Sequence, residues 1–108
     1  MSVKYKLRYL PLFYEDFKEA VAYIRDVLKN KKAADDLIDL TEKAILERLN
    51  NCESYEPYRS KKDRKYPYYR IYVKNYIVFY VVIKEECDIP IMEVRRFIYV
   101  GQNRDTLI

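Results

Sequence analysis

The sequence predicts an α+β fold, in which an N-terminal helical hairpin packs on one face of a small, mostly antiparallel sheet of about four strands. Three observations predict it. Residues near the N-terminus alternate between apolar and basic, residues 11–50 carry apolar stripes at helical spacing, and the C-terminal half is rich in aromatic and β-branched side chains. With 108 residues the chain is expected to form one domain, 1–108, in the order β-α-α-β-β-β.

The N-terminal elements follow from these patterns. Apolar side chains at alternate positions predict an edge-like first strand over residues 3–9. Pro11 suits the first turn of a helix, and helical periodicity predicts helix one over 11–29 and helix two over 32–50. The short link between the two helices predicts an antiparallel hairpin, whose apolar side needs a sheet to cover it.

Residues 51–67 contain two prolines and a basic cluster, which predicts a loop. Three strands are predicted after it, at about 68–73, 76–84 and 89–100. The link Lys74-Asn75 predicts a two-residue hairpin turn in which Asn75 supplies the positive φ. The second of these strands is apolar or aromatic at nearly every position, so it is expected in the middle of the sheet.

A two-residue turn fixes which side chains share a face of the sheet, because it pairs Val73 with Tyr76 and Tyr72 with Ile77. The side expected to face the helices comprises Ile71, Val73, Val78 and Tyr80, and the opposite side comprises Arg70, Tyr72, Ile77 and Phe79. On the last strand, alternation assigns one side to Met92, Val94, Arg96, Ile98 and Val100, and the other to Glu93, Arg95, Phe97 and Tyr99. Arg96 falls in the buried row and is expected to pair with Glu93 or with a helix carboxylate.

Composition excludes several kinds of site. The chain has no histidine, so any catalysis must use Lys, Arg, Tyr, Asp or Glu. Cys52 and Cys87 are too few for a disulfide framework or a zinc site, and the single glycine excludes a Gly-rich phosphate loop. We therefore expect no metal and no cofactor. No apolar run has the length of a membrane span or a secretion signal, which predicts a cytoplasmic protein.

The net charge of +4 is unevenly distributed along the chain. Residues 15–53 hold ten acidic and seven basic side chains, whereas residues 54–108 hold eleven basic and seven acidic. A positive field of this kind suits nucleic acid or an acidic protein segment. The candidate cations for binding such a target are Arg59, Lys61, Lys62, Arg64, Lys65 and Arg70. A solvated loop is the alternative interpretation of the run from 59 to 65.

The order of the elements and four sequence pieces resemble the RelE/ParE superfamily, the toxins of bacterial type II toxin–antitoxin systems. The pieces are YKLRYLPLFYEDFKEAVAYI, NKKAADDLIDLTEKAI, YRIYVKNYIVFYVV and VRRFIYVGQNRD, and the resemblance covers essentially the whole chain. It implies a toxin kept silent by a cognate antitoxin and involved in growth inhibition and plasmid stabilisation. It also implies one of two targets, because RelE-like members cut messenger RNA on the ribosome whereas ParE-like members inhibit DNA gyrase.

Individual positions favour the ParE-like branch. RelE-like nucleases carry a pair of cations on the first meander strand and an arginine at the start of the next. Here Arg70 and Tyr72 occupy the first pair of positions, and Ile77 stands where the arginine is expected. A lost transition-state contact of this kind costs roughly 10² to 10³ in rate. If the protein is nevertheless a metal-independent endoribonuclease, the catalytic candidates are Arg70, Tyr72, Arg95, Tyr99 and Arg104.

The outward side of the sheet is expected to bind a partner, because a small domain with an open apolar face should associate with something. The residues predicted to contact an antitoxin are Tyr72, Ile77, Phe79 and Phe97. A second copy of the chain is the alternative occupant, so the protein is expected as a homodimer or a toxin–antitoxin hetero-oligomer. A degenerate toxin that only binds antitoxin is a further alternative.

Overall fold

The computed structural model describes residues 4–58, 65–86 and 88–102. Its elements, in chain order, are β1 (Lys6–Tyr9), α1 (Pro11–Ala22), α2 (Lys31–Leu49), β2 (Tyr69–Val73), β3 (Tyr76–Ile83) and β4 (Ile91–Tyr99). None of the helices within the described ranges has the length and apolar character needed to cross a membrane.

The four strands form one mixed sheet in the order β1-β4-β3-β2. β1 runs parallel to β4, whereas β2, β3 and β4 form an antiparallel meander. The predicted α+β fold is confirmed, with β1 at one edge and β3 in the interior of the sheet. The parallel pair arises because the chain crosses the sheet through both helices between β1 and the meander.

The two helices are separated by a tight connection with defined caps. A π-helical turn, Tyr23–Val27, continues α1, and the N–H of Leu28 donates to the carbonyl of Tyr23 at 3.0 Å. Lys29 then adopts a φ of 55°, the left-handed conformation that ends many helices. The Asn30 side chain caps α2 by accepting the N–H of Ala33 at 3.0 Å. The predicted helix over 11–29 therefore has a widened last turn.

The β2–β3 hairpin has the predicted register. Val73 pairs with Tyr76, and Tyr72 pairs with Ile77. The prediction that Asn75 supplies the positive φ is wrong, because that conformation belongs to Lys74, with a φ of 55°. The position that the turn requires to be left-handed is its first one here, so the residue type at the second position gave a misleading signal.

One face of the sheet, which we call the inner face, packs against both helices. It carries the side chains that were predicted to face the helices, Ile71, Val73, Val78 and Tyr80. The helices contribute buried side chains at helical spacing, namely Phe13, Ala20, Val21, Ala34, Leu37 and Ile45. Each large side chain buried in this way contributes roughly 1.5–3 kcal/mol of transfer free energy.

β4 departs from the predicted alternation at a β-bulge. Phe79 pairs with Arg96 but Tyr80 pairs with Val94, so Arg95 is an extra residue in the strand. After the bulge the two faces are exchanged relative to the period-two prediction. Phe97 and Tyr99 therefore lie on the inner face, whereas Ile98 lies on the opposite face, and their predicted sides are wrong. The ring of Phe97 packs edge-on against Phe17 of α1, with centroids 5.0 Å apart.

Asp16 of α1 accepts a backbone hydrogen bond from β4 at the edge of that strand, beyond the residues that pair with β1. β1 ends at Tyr9, and beyond it the N–H of Phe97 donates to Asp16 Oδ2 at 3.0 Å. The same carboxylate pairs with the guanidinium of Arg96, with Nε to Oδ2 at 2.7 Å. This bond raises the pKa of Arg96. The predicted ion pair between Arg96 and a helix carboxylate is confirmed.

Candidate functional site

The side of the sheet away from the helices, which we call the outer face, was predicted to be open and apolar. Its apolar character is confirmed, but the prediction that it is open to solvent is wrong. Ile77 and Phe79 are both 0 % exposed. They belong to a second buried cluster whose members are Tyr68, Ile77, Phe79, Val81, Ile83, Ile91 and Ile98.

Tyrosines from either side of residues 59–64 pack on the outer face. The rings of Tyr58 and Tyr68 meet Phe79 edge-on, with centroids 5.3 Å and 6.0 Å away. Tyr58 and Tyr68 also form an isolated antiparallel bridge, and Tyr66 packs against the same cluster. These tyrosine side chains therefore cover the sheet.

Arg48 anchors the chain that leads to this cover. Its guanidinium donates to Tyr80 Oη at 3.0 Å and to the carbonyl of Arg70 at 3.1 Å, and it stacks on Tyr55 at 3.4 Å from the ring centroid. Tyr80 in turn donates to the carbonyl of Cys52 at 2.7 Å. Burial raises the pKa of Tyr80 to about 12, so the phenol keeps its proton and remains a donor. The sequence feature that could have indicated this anchoring role is the position of Arg48 within the apolar stripe of α2.

Arg70 is a cation of β2 on the outer face. It is half-buried at the edge of the cluster, with its guanidinium 5.3 Å from the ring of Tyr58 and 5.9 Å from that of Tyr72. The ion pairs between described residues do not include it. Tyr72, in the same strand, is exposed. These two candidates lie side by side and face solvent.

Arg95 lies on β4, on the other side of Phe79 from Arg70, and its guanidinium forms an ion pair with Glu93. Its Nε donates to Glu93 Oε1 at 2.8 Å, and its guanidinium lies 5.8 Å from the ring of Tyr68. Glu93 is buried, and its other oxygen accepts the guanidinium of Arg8. The hydrogen bonds that Arg8 donates to Glu86 and Glu93 raise the pKa of Arg8. Two arginines thus share one buried carboxylate, which neutralises part of the positive charge of this face.

The remaining candidates do not converge on the outer face. Tyr99 lies on the inner face, opposite Tyr76, so it is separated from Arg70 and Arg95 by the sheet itself. Lys65 is exposed and lies 5.3 Å from the ring of Tyr66. Arg59, Lys61, Lys62, Arg64 and Arg104 lie outside the described residues.

Three of the four residues predicted to contact an antitoxin are buried. Only Tyr72 is exposed, whereas Ile77 and Phe79 lie under the tyrosine cover and Phe97 lies beneath α1. Antitoxin contact with Tyr72 stays a prediction. Within the part of the chain that is described, no three Cys, Asp or Glu side chains are grouped in a way that could hold a metal ion.

Comparison with protein families matches residues 7–96 to the family described as the ParE toxin of type II toxin-antitoxin system, parDE. A search of curated proteins found no match. The matched region runs from β1 to the bulge of β4 and so includes both helices and the whole β2–β3 hairpin. The chain therefore belongs to the ParE toxin family and is the toxin of a type II toxin–antitoxin pair, with a cognate antitoxin as its partner.

Proposed function

We propose that this toxin acts by binding its target and without bond cleavage, and that the target is DNA gyrase. One observation carries the first part of the proposal. Ile77, at the position where RelE-like nucleases bear an arginine, is fully buried beneath the outer face. An isoleucine in this position offers no hydrogen bond to a phosphate, and the described residues of the cluster that surrounds it are apolar or aromatic.

The arrangement of the catalytic candidates supports the same conclusion. A general base and a general acid must reach the same substrate within hydrogen-bond distance. Tyr99 lies on the inner face, while Arg70 and Tyr72 lie on the outer face. Arg95 is held by Glu93 at 2.8 Å, so a phosphate would have to compete with a buried carboxylate for it. Membership of the ParE family supports gyrase as the target, because gyrase is the target that the resemblance to ParE-like toxins implies.

A supercoiling assay tests the gyrase proposal. Purified toxin is added to gyrase, ATP and relaxed plasmid, and the loss of supercoiled product is measured against toxin concentration. We expect inhibition that is reversed by adding the cognate antitoxin in equal amount. Full supercoiling at toxin concentrations that arrest growth in cells would contradict the gyrase proposal. Absence of growth arrest on induction would instead favour an antitoxin-binding module without toxicity.

A ribosome-dependent endoribonuclease is the second candidate, favoured by one observation. Arg70 faces solvent beside Tyr72 and has no carboxylate partner among the described residues, as a phosphate-binding cation would require. This candidate needs catalysis without the arginine that Ile77 replaces. Cleavage of messenger RNA on programmed ribosomes separates it from the gyrase proposal.

A further inference from the structure

The two helices share an exposed surface on the side that does not pack against the sheet. We call it the helix-pair surface. Its members are Tyr14, Lys18 and Arg25 from α1 and the π-helical turn, and Asp35, Ile38, Glu42 and Leu46 from α2. Where the helices meet it contains a shallow groove of about 470 Å³, whose lining includes Lys18, Arg25 and Ile38.

Residues of the helix-pair surface lie at matching heights along the two helices. The groove places Lys18 and Arg25 beside Ile38. Because the tight connection reverses the chain, earlier residues of α1 lie beside later residues of α2. Glu42 is one turn after Ile38 and so lies at the height of Lys18, whereas Asp35 is about one turn before it, at the height of Arg25. Asp35 and Arg25 are close enough to interact electrostatically.

The two halves of this surface carry opposite charges. On the α1 side, Lys18 takes no part in the ion pairs between described residues, and Arg25 pairs with the next residue, an exposed aspartate, at 3.1 Å. An exposed pair of this kind contributes little, so the guanidinium can bind another carboxylate. Glu19, which also lines the groove, offsets only part of this positive charge. On the α2 side, Asp35 and Glu42 are exposed and likewise stand outside these ion pairs.

Exposed apolar side chains accompany the charges. Tyr14 is 50 % exposed, Leu46 47 % and Ile38 37 %. Tyr14 lies one turn before Lys18 in α1, and Leu46 lies one turn after Glu42 in α2, so these two side chains are also at the same height. Apolar side chains that are grouped on one exposed surface mark an interaction site more often than scattered ones do.

The area of the helix-pair surface suits a weak dimer. With its 19 residues α2 is about 28 Å long, and two adjacent helices are about 20 Å wide. Two copies packed through this surface would bury on the order of 1000–1200 Å² in total, which is the lower end of the range for specific protein interfaces.

We propose that the helix-pair surface binds a second copy of the chain about a two-fold axis parallel to the helices. This rotation places α1 of one copy on α2 of the other without changing the height of any residue. Lys18 then meets Glu42, and Arg25 meets Asp35, twice in each dimer. A two-fold axis perpendicular to the helices, within the interface, would instead stack α1 on α1 and oppose like charges.

The apolar residues fit the same arrangement. Tyr14 of one copy would pack on Leu46 of the other, and Ile38 would fill the seam between the four helices. The inference depends neither on gyrase as the target nor on the place where the antitoxin binds.

Charge-reversal variants test the pairing across the two-fold axis. Lys18→Glu and Glu42→Lys each replace two attractive contacts of the dimer by repulsive ones, whereas an equimolar mixture of the two variants restores both contacts. Sedimentation velocity of the purified full chain at low salt measures the mass. We expect a wild-type dissociation constant of about 1–100 μM, about tenfold or greater weakening for each variant alone, and recovery of the dimer in the mixture.

The matched control for these variants is Lys43→Glu, which reverses an exposed charge of α2 outside the helix-pair surface. It should change the dissociation constant by less than about threefold. Raising the salt concentration should weaken the wild-type dimer, because its ion pairs are screened.

A pair of leucine variants tests the apolar contact. Leu46→Asp places a charge in the helix-pair surface, whereas Leu40→Asp places one at a leucine of similar exposure, 39 %, on a different side of α2. We expect about tenfold or greater weakening of the dimer for Leu46→Asp and less than about threefold for Leu40→Asp. Circular dichroism confirms that each variant is folded, and Tyr14→Ser repeats the test if Leu46→Asp is not.

Four outcomes would overturn the proposal. The first is a wild-type toxin that stays monomeric up to about 500 μM. The second is a dimer that neither Lys18→Glu nor Leu46→Asp weakens. The third is a mixture of the two charge variants that stays monomeric. The fourth is loss of antitoxin binding or of gyrase inhibition in these variants with an unchanged dimer mass, which would assign the surface to that partner. Failure of the gyrase proposal alone would leave the dimer measurements unaffected.

Discussion

The two faces of β3 are buried to the same degree but are covered by different kinds of structure. Val78 and Tyr80 lie beneath α1 and α2, whereas Ile77 and Phe79 lie beneath tyrosines from an irregular segment. The helical cover can be predicted from the sequence, because its apolar residues recur at helical spacing. The tyrosines that cover the outer face do not recur at a regular spacing in the sequence. The sequence therefore predicts that this apolar face is open, whereas the structure shows that it is covered. A strand pattern shows that a face is apolar, but it does not show what covers it.

The largest expected effect comes from the outer face itself. Phe79→Ala should reduce the free energy of unfolding by about 3–5 kcal/mol, as expected for a fully buried phenylalanine, even though the described residues that cover it are tyrosines outside the helices. Tyr72→Ala, on the same face but 58 % exposed, should cost less than about 1 kcal/mol. Urea denaturation of both variants measures the difference. Equal, small effects would mean that the outer face is open in solution.

The next effect concerns the link between α1 and β4 on the helical side. Asp16→Asn removes the charge that faces Arg96 while keeping an oxygen for the N–H of Phe97. Both partners are largely buried, so the loss should cost about 2–3 kcal/mol. Asp26→Asn is the control, because its pair with Arg25 is exposed and should have no measurable effect. Indistinguishable melting curves for the two variants would show that the Asp16 pair contributes no net stability.

A smaller effect is expected at Tyr80, which connects the two regions. Tyr80→Phe removes the hydrogen bond to the Cys52 carbonyl and the one from Arg48, and it should cost about 1–2 kcal/mol. Arg48 keeps its bond to the carbonyl of Arg70, which limits the loss. Chemical denaturation near neutral pH measures the difference. A stability equal to that of wild type would show that the Arg48 anchor works without the phenol.

The same tyrosine predicts a dependence of stability on alkaline pH. Burial raises the pKa of Tyr80 from 10.0 to about 12, so the folded protein retains a proton that the unfolded chain releases. The contribution to stability is complete below pH 10 and is lost as the pH rises through about 12. Unfolding free energies at pH 8, 10 and 11 should fall less steeply for Tyr80→Phe than for wild type or for the exposed control Tyr72→Phe. Parallel curves would contradict the buried, protonated state.

Much of the helical side could be predicted from the sequence, because its signals are local. A two-residue turn fixed the pairing of Tyr72 with Ile77, and the apolar stripes identified both helices. Arg96 was expected to pair with Glu93 or with a helix carboxylate because it interrupts an apolar row of the predicted strand, and its partner is Asp16 of α1, although the bulge changes the row in which it lies.

The bulge and the tyrosine cover could not be predicted in the same way. The bulge at Arg95 exchanges the faces of Phe97 and Tyr99, and alternation has no means of indicating an inserted residue. Its one sequence signal is the spacing between Val94 and Phe97, two apolar residues three positions apart that share a face only if one residue is extra. The cover depends on where Tyr58 and Tyr68 meet in space, which is a long-range contact with no local pattern.

Messenger RNA cleavage on programmed ribosomes tests most directly whether a closed outer face makes this toxin a binding protein. Purified toxin is added to ribosomes stalled with a defined codon in the A site, and cleavage products are mapped over time beside an Arg70→Ala variant. The closed cluster around Ile77 and Phe79 predicts no cleavage by either protein above the background without toxin. Codon-dependent cleavage by wild type that Arg70→Ala abolishes would contradict it.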